Sequence, residues 1–512
     1  MRYWVNHSIG FKIKNRFHSM KYMFLNRFYL IVAAVLGAMT ASAATITGNV
    51  AGQLSTAVGT NVDDTQLTVT GAVDGADLKF IASEMKNLRK VDLSGAVLLE
   101  AAGSAEIPQY ALFGASFSEF HMPKGVTAIG EAAFASSNIQ SITIPSTVKN
   151  IGRCAFDNCD ALTQITIPAT VTGLGQQMFR DCDRLTTAIV DAAVDNVGAE
   201  MFYNCGALTS ATYGAAIKTI GDHAFEGCAK LESFDFPASL ESIGKEAFYG
   251  SGLTSADMSL CGSLTTIGDF AFAKCQQLNS VSLKSVAKLG RGAFFDDYSL
   301  TDIKLPESLT VIPSFTFKGT NSLQPTAIAD NVTEIGDYAL TGWDQVDEFK
   351  LPSQLKHIGT NAMEGWTSLF ALKGAELETV PSLGESVWEN VEQPDVILYV
   401  NSSTKDKFES SPQWQNFDIR VEQSDINTLL PDDPASSSSV VIRLVDRALV
   451  IDSPSCSINT TTVYDIDGRR RYSAASSANR VVIDTTAWGS SVFIVNVKLE
   501  DKSETSAKIA IK

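Results

Sequence analysis

Histidine is scarce in this chain. Five occur in 512 residues, and only His121, His223 and His357 lie beyond residue 43. That leaves little for imidazole catalysis or for histidine-rich zinc sets. No H-E-x-x-H, G-x-S-x-G, Walker loop or C-x-x-C is present, and no G-x-G-x-x-G sits in a strand–helix context. No catalytic set, no metal set and no cofactor is therefore expected, and an enzyme is the least favoured reading. Charge is thin as well, at 19%. Residues 1–43 hold six Lys/Arg and no Asp/Glu, so the remainder has 34 basic against 57 acidic residues, a net −23. Such a surface repels phosphate backbones, which argues against nucleic acid as a partner and against docking on anionic lipid. Long apolar runs are also missing. Phe28–Met39 offers about twelve residues, against the roughly 20 that a membrane span needs.

That short run is preceded by Lys12, Lys14, Arg16, Lys21 and Arg27 and followed by Ala41-Ser42-Ala43. The pattern predicts a secretory signal peptide over 1–43, cleaved between Ala43 and Ala44, with Met20 a possible true start. No transmembrane segment is expected once it is removed.

What the chain does have is a period. Ile151–Pro168 reads I-G-x-x-A-F-x-x-C-x-x-L-x-x-I-x-I-P, and this skeleton returns every 22–24 residues from Ile107 to Val380. Such regularity is the signature of a solenoid. Leu162, Ile165 and Ile167 form a strand with its apolar side inward, and Pro168, lacking an N–H, closes it. Gly152 stands where a side chain would crowd the neighbouring coil. Phe134, Phe156, Phe179, Phe202, Phe225, Phe248, Phe272, Phe294 and Phe317 predict one stacked ring per coil, continued by Leu340 and Met363. Cys159, Cys182, Cys205, Cys228 and Cys275 share another column. Successive rungs hold Cβ atoms too far apart for disulfides, so these thiols are expected free and buried; Cys154, Cys261 and Cys456 lie off the column.

The expected fold is thus a repeat solenoid: a leucine-rich-repeat parallel β-solenoid with one strand per coil, the sheet on the concave face and short helices or turns on the return side. Residues 44–106 read as its N-terminal cap, with a strand at Leu67–Thr70, a helix over Asp77–Met85 and an L-x-x-V-x-L strand at Leu88–Leu93. Repeats fill 107–400 and a C-terminal cap 401–421. There Phe408, Trp414 and Phe417 form a lid over the last rung, with a sugar-stacking cluster as the sharper alternative. Residues 422–439 are a Pro/Ser-rich linker, and 440–512 hold six or seven short strands of a small all-β sandwich.

The 23-residue skeleton resembles BspA-type leucine-rich repeats of bacterial surface proteins, over roughly 62–420. The resemblance implies an exported, extracellular or outer-membrane surface protein that binds or adheres, with a protein or glycan partner. It carries over no catalytic residues. Thr462–Arg469, Trp488–Val495 and Lys508–Lys512 resemble the C-terminal sorting domain of type IX secretion substrates. That implies an interaction of 440–512 with secretion machinery. An ordinary β-sandwich is the alternative for this module, and a structural surface scaffold without a specific ligand is the alternative for the whole.

Candidate binding residues are those the repeat leaves unassigned, on the outward sheet face. One column reads Ser141, Gln164, Thr187, Ser210, Ser233, Ser255, Ser280 and Asp302. Its neighbour reads Thr143, Thr166, Thr212, Asp235, Asp257, Ser282 and Lys304. Tight-binding anchors are absent from this stripe, so weak or multivalent contacts are expected. His223, Asp296-Asp297 and Asp432-Asp433 read as solvated loop residues.

Overall fold

The computed structural model describes residues 42–99, 105–192, 194–214, 217–325 and 327–421, and, within the C-terminal segment, 440–445, 448–453, 457–465, 469–485, 488, 491–500 and 504–511. The chain divides into two compact units, 1–422 and 423–512. The first is a parallel β-solenoid of about 16 turns.

One coil shows how it is built. Asn150–Ile151 pairs in parallel with Ala128–Ile129 below and Gly173–Leu174 above. Gln164–Ile167 pairs with Thr187–Val190 in the other ladder. This coil, like most of the array, therefore contributes two strands rather than the one expected. The second comes from the opening Ile, whose carbonyl accepts the next coil's glycine N–H, as in Gly152 N–H to Ile129 O at 2.8 Å. That approach is why glycine stands there: a Cβ on Gly152 would lie 2.7 Å from the Glu131 nitrogen. Pro168 ends the long strand, and its carbonyl accepts Val171 N–H at 3.0 Å to turn the chain.

The return side carries turns and no α-helix among the described residues of the repeats. Two positions per coil explain this. Cys154 and Asn158, with φ of 54° and 56°, are left-handed, and the same two slots are left-handed along the array. They break a helical run. They also aim alternate N–H groups at the next coil: Cys154 to Gln176 O, Phe156 to Met178 O and Asn158 to Arg180 O, at 3.0, 3.0 and 2.7 Å. Among the described residues, α-helices occur at Leu54–Val58, Gly75–Glu84 and Lys405–Glu409, with short 3-10 turns at Gln393–Asp395 and Trp414–Asn416.

The N-terminal segment joins the same stack. Ala43–Asn49, Gln66–Val73 and Lys90–Leu98 run in parallel into Glu119–His121 and Ser141–Ile142. Buried Asp77 ties their connections together. Its carboxylate accepts the N–H groups of Gly52 and Leu54, both at 2.9 Å, and of Asp74 at 3.2 Å.

The phenylalanine spine is present from Phe134 to Phe317, with consecutive centroids 5.1–5.7 Å apart and rings near-parallel. It does not simply continue through Leu340 and Met363. Where those smaller groups enter, the stack crosses into the cysteine column at Trp343 and Trp366, whose rings lie 5.7 Å apart. The swap preserves filled volume. It also preserves a hydrogen bond. The column thiols donate to the Phe carbonyl of the preceding coil, Cys182 to Phe156 at 3.2 Å and Cys205 to Phe179 at 3.0 Å. Trp366 Nε1 donates to Leu340 O at 2.9 Å in the same offset. All seven described cysteines are free; Cys456 lies outside the described residues.

The last rung is closed by Phe408, Trp414 and Phe417, all buried; Trp414 and Phe417 pack on Trp388, and Phe408 packs on Trp414. Trp414 Nε1 donates to Pro381 O at 2.9 Å. These rings are a lid, and no sugar can reach them for stacking.

The second unit has seven antiparallel strands in two sheets. One joins Val441–Val445, Ala448–Asp452 and Arg480–Asp484; the other joins Arg470–Ala475, Ile458–Asp465, Ser491–Leu499 and Glu504–Ile511. Leu449, Ile451 and Ile483 of the first share a core with Val463, Phe493 and Val495 of the second. This is the expected small sandwich. The 422–439 stretch, including Asp432-Asp433, lies outside the described residues, as does the 1–41 segment.

Candidate functional site

The outward columns are assembled as the period requires. Gln164, Thr187 and Ser210 are register partners, as are Thr166, Ile189 and Thr212; Ser255, Ser280 and Asp302 align, as do Asp257, Ser282 and Lys304. Ser233 and Asp235 are exposed but belong to no strand. Here the coil carries Phe234 and Phe236 at inward positions. Phe234 lies between the small Ala211 and Ala256 rungs, with Phe225 and Phe248 at 5.1 and 5.4 Å. Its bulk accompanies a gap in the ladder between Ser210–Tyr213 and Ser255–Asp257.

Hydroxyl groups on this side do two different jobs. One column, immediately before the strand, bonds to the coil beneath: Thr163 to Gln140 O, Thr186 to Thr163 O and Thr209 to Thr186 O, at 3.3, 2.9 and 3.0 Å. These groups hold the stack. Ser141, Thr143, Gln164 and Thr166 are exposed and make no side-chain hydrogen bond among the described residues. Together with Glu119 and His121 they line a concavity of about 890 Å³ on the sheet face. Ile142 and Ile165 lie buried beneath it on the inner face of the sheet, so the outward groups and the strand backbone form its floor.

The charged rim was not singled out from the sequence. Lys90 Nζ meets Glu119 Oε1 at 2.7 Å, His121 Nε2 approaches the same oxygen at 3.0 Å, and His121 Nδ1 lies 3.6 Å from Asp92. Lys90 holds the Glu119 carboxyl below its ordinary range, and the Ser94 hydroxyl does the same for Asp92. Both stay ionised in mildly acidic solution. The signal was present in the register: Lys90, Glu119 and Ser141 form one column, and Asp92 and His121 the next. At the other end, Lys350 pairs with Asp330 and Glu376, and Lys373 with Glu348. The charged groups at both ends of the face are therefore paired with one another, with open hydrogen-bonding groups between.

Two loop expectations are corrected. Asp297 is fully buried, because it stands in the cysteine column 22 residues after Cys275. Its Oδ1 accepts Cys275 N–H at 2.8 Å, Oδ2 has no partner, and burial pushes its carboxyl well above the ordinary value. His223 is half-buried, held by Glu226 and Glu246.

A parallel solenoid with an open, hydrogen-bonding sheet face defines the leucine-rich-repeat class, whose stacked units create extended binding surfaces. Within it, the chain belongs to the BspA type leucine rich repeat region family, which matches residues 105–232, 195–323 and 265–393. Residues 430–511 match a domain of unknown function, DUF8694. A leucine-rich repeat protein from Bacteroides ovatus ATCC 8483 is similar in fold: 22% identity, 69% of this chain and 84% of that one, TM-score 0.53. A leucine rich cell surface protein from Faecalibacterium prausnitzii A2-165 aligns at 25% identity over 51% and 83% of the two chains, TM-score 0.31. The pneumococcal vaccine antigen PcpA aligns at 14% over 71% and 80%, TM-score 0.29. No curated protein matches the chain. Among the described residues, no helix is long and apolar enough to cross a membrane.

Proposed function

We propose that this chain is an exported surface protein that binds a protein or glycan through the sheet face around Ser141, Thr143, Gln164 and Thr166. The observation that carries the reading is the contrast between hydroxyl columns. Neighbouring threonines are consumed in holding coils together, whereas these four groups stand unspent in a concavity. Neutral donors and acceptors suit a polar, uncharged partner surface, and the lack of Tyr, Trp or Arg anchors makes each contact weak. Repeated presentation of the partner would compensate by avidity.

The full chain, immobilised and screened against glycan and extracellular-protein panels, tests this. Saturable binding should fall at least about tenfold in a Ser141→Arg/Gln164→Arg variant, the loss of a few hydrogen bonds and the added clash. Asp235→Arg/Asp257→Arg, further along the face, should cost less. Equal binding by the first variant and the parent would remove this face from consideration, and no saturable ligand at all would favour a scaffold. The export half of the proposal rests on the N-terminal pattern and on the C-terminal sandwich acting as a sorting domain. Deleting 440–512 should abolish surface display, and continued display would overturn the sorting role. Mass spectrometry of the mature chain should find Ala44 first.

A further inference from the structure

The turn side of the solenoid holds a separate constellation. His223 occupies a left-handed slot, with φ of 57°, between Glu200 and Glu246 in the same slot of the adjoining coils. Its Nδ1 lies 2.5 Å from Glu226 Oε2 and 3.6 Å from Glu246 Oε2. One ligand atom from each of the three falls within 4.8 Å of the other two. The backbone beneath them is tightly bonded. His223 N–H donates to Lys245 O at 2.8 Å, and Glu226 N–H closes a turn on His223 O at 3.3 Å. The trio is thus mounted on a hydrogen-bonded turn, partly shielded, with side-chain exposures of 27, 19 and 22%.

We propose that His223, Glu226 and Glu246 bind a zinc-class divalent cation. One imidazole nitrogen and two carboxylate oxygens form a three-ligand set that leaves further positions open to water. This mixed nitrogen–oxygen donor set favours borderline transition ions over calcium or magnesium, which take oxygen-rich shells. The cation would take the place of the hydrogen bond that now joins His223 Nδ1 to Glu226 Oε2. Its two charges would balance two carboxylates whose ion-pair partners among the described residues are His223 and, for Glu246, Lys245 at 3.1 Å. Glu226 also raises the Tyr203 phenol, which lines the same concavity, a mark of unbalanced negative potential there. Arg180 lines the same concavity but is paired with Asp157 at 2.7 Å and with Asp181 and Glu200 at 3.7 Å.

The test is calorimetric titration of the folded full chain with Zn²⁺, paired with Co²⁺ absorption. One saturable site per chain, with cobalt d–d bands of nitrogen–oxygen ligation, is expected. His223→Asn, which tolerates the left-handed backbone, and Glu246→Gln, which preserves shape, should each weaken binding by about tenfold or more. Glu246→Gln decides if the first variant fails to fold. Absence of saturable binding, unchanged affinity in either folded variant, or a thiolate-to-cobalt band from the cysteines would each overturn the assignment.

Discussion

Asp297 stands where the repeat places a thiol, and it is the least compatible residue in the core. One carboxylate oxygen accepts Cys275 N–H and the other is buried without a partner. Its raised pKa means the folded chain holds the proton that the unfolded chain releases above about pH 4. Stability from this group is therefore full at low pH and declines as pH rises towards the folded pKa. Asp297→Asn keeps the acceptor and removes the titration. It should stabilise the protein by about 1–3 kcal/mol at pH 7, and the gain should shrink towards nil near pH 3. Urea unfolding across that range measures it; a pH-independent difference would refute the account. A second residue-scale prediction concerns coil spacing. A Cβ on Gly290 would lie 2.2 Å from the Asp269 nitrogen, whereas one on Gly206 meets nothing within 4 Å. Gly290→Ala should cost about 3 kcal/mol through forced separation of two coils, and Gly206→Ala should leave the melting curve nearly unchanged.

At the scale of elements, each coil end is closed by polar chemistry as well as by apolar cover. Asp77 gathers three N–H groups from the first connections of the stack. Asp77→Ala should strand these donors and cost about 3 kcal/mol. Hydrogen exchange should quicken across Ala43–Asn49 while amides around Phe225 keep their protection, because coils couple chiefly to neighbours. The cysteine column makes the complementary case. Burial raises Cys159 to about 11 and Cys205 to about 12, so neither presents a thiolate at neutral pH. Iodoacetamide should label half-exposed Cys154 in the folded chain and spare both. Rapid labelling of Cys205 would reveal opening of the stack.

At the scale of the whole molecule, the period made the inward columns legible because every rung faces the same neighbours. Phe156 meets Phe134 and Phe179 whatever its local context, so a repeated letter implies a repeated contact. The same counting would have placed Asp297 and Trp343 in the cysteine column, a signal present but overlooked. It could not show whether an outward Thr is spent or free. Thr163 and Thr166 are alike in sequence, yet Thr163 reaches a carbonyl on the coil below and Thr166 faces solvent. Nor could one coil's pattern place His223 against Glu246, 23 positions on, at ligand distance.

The sequence alone determined the stacking architecture, its core columns and the two-unit division, since these follow from periodic burial and from its loss after residue 421. Tertiary structure decided the two-strand coil, the crossing of the aromatic stack, the burial of Asp297 and which polar groups remain available. Those features depend on distances of a few tenths of an ångström between successive coils, and such distances are properties of packed neighbours rather than of any single repeat.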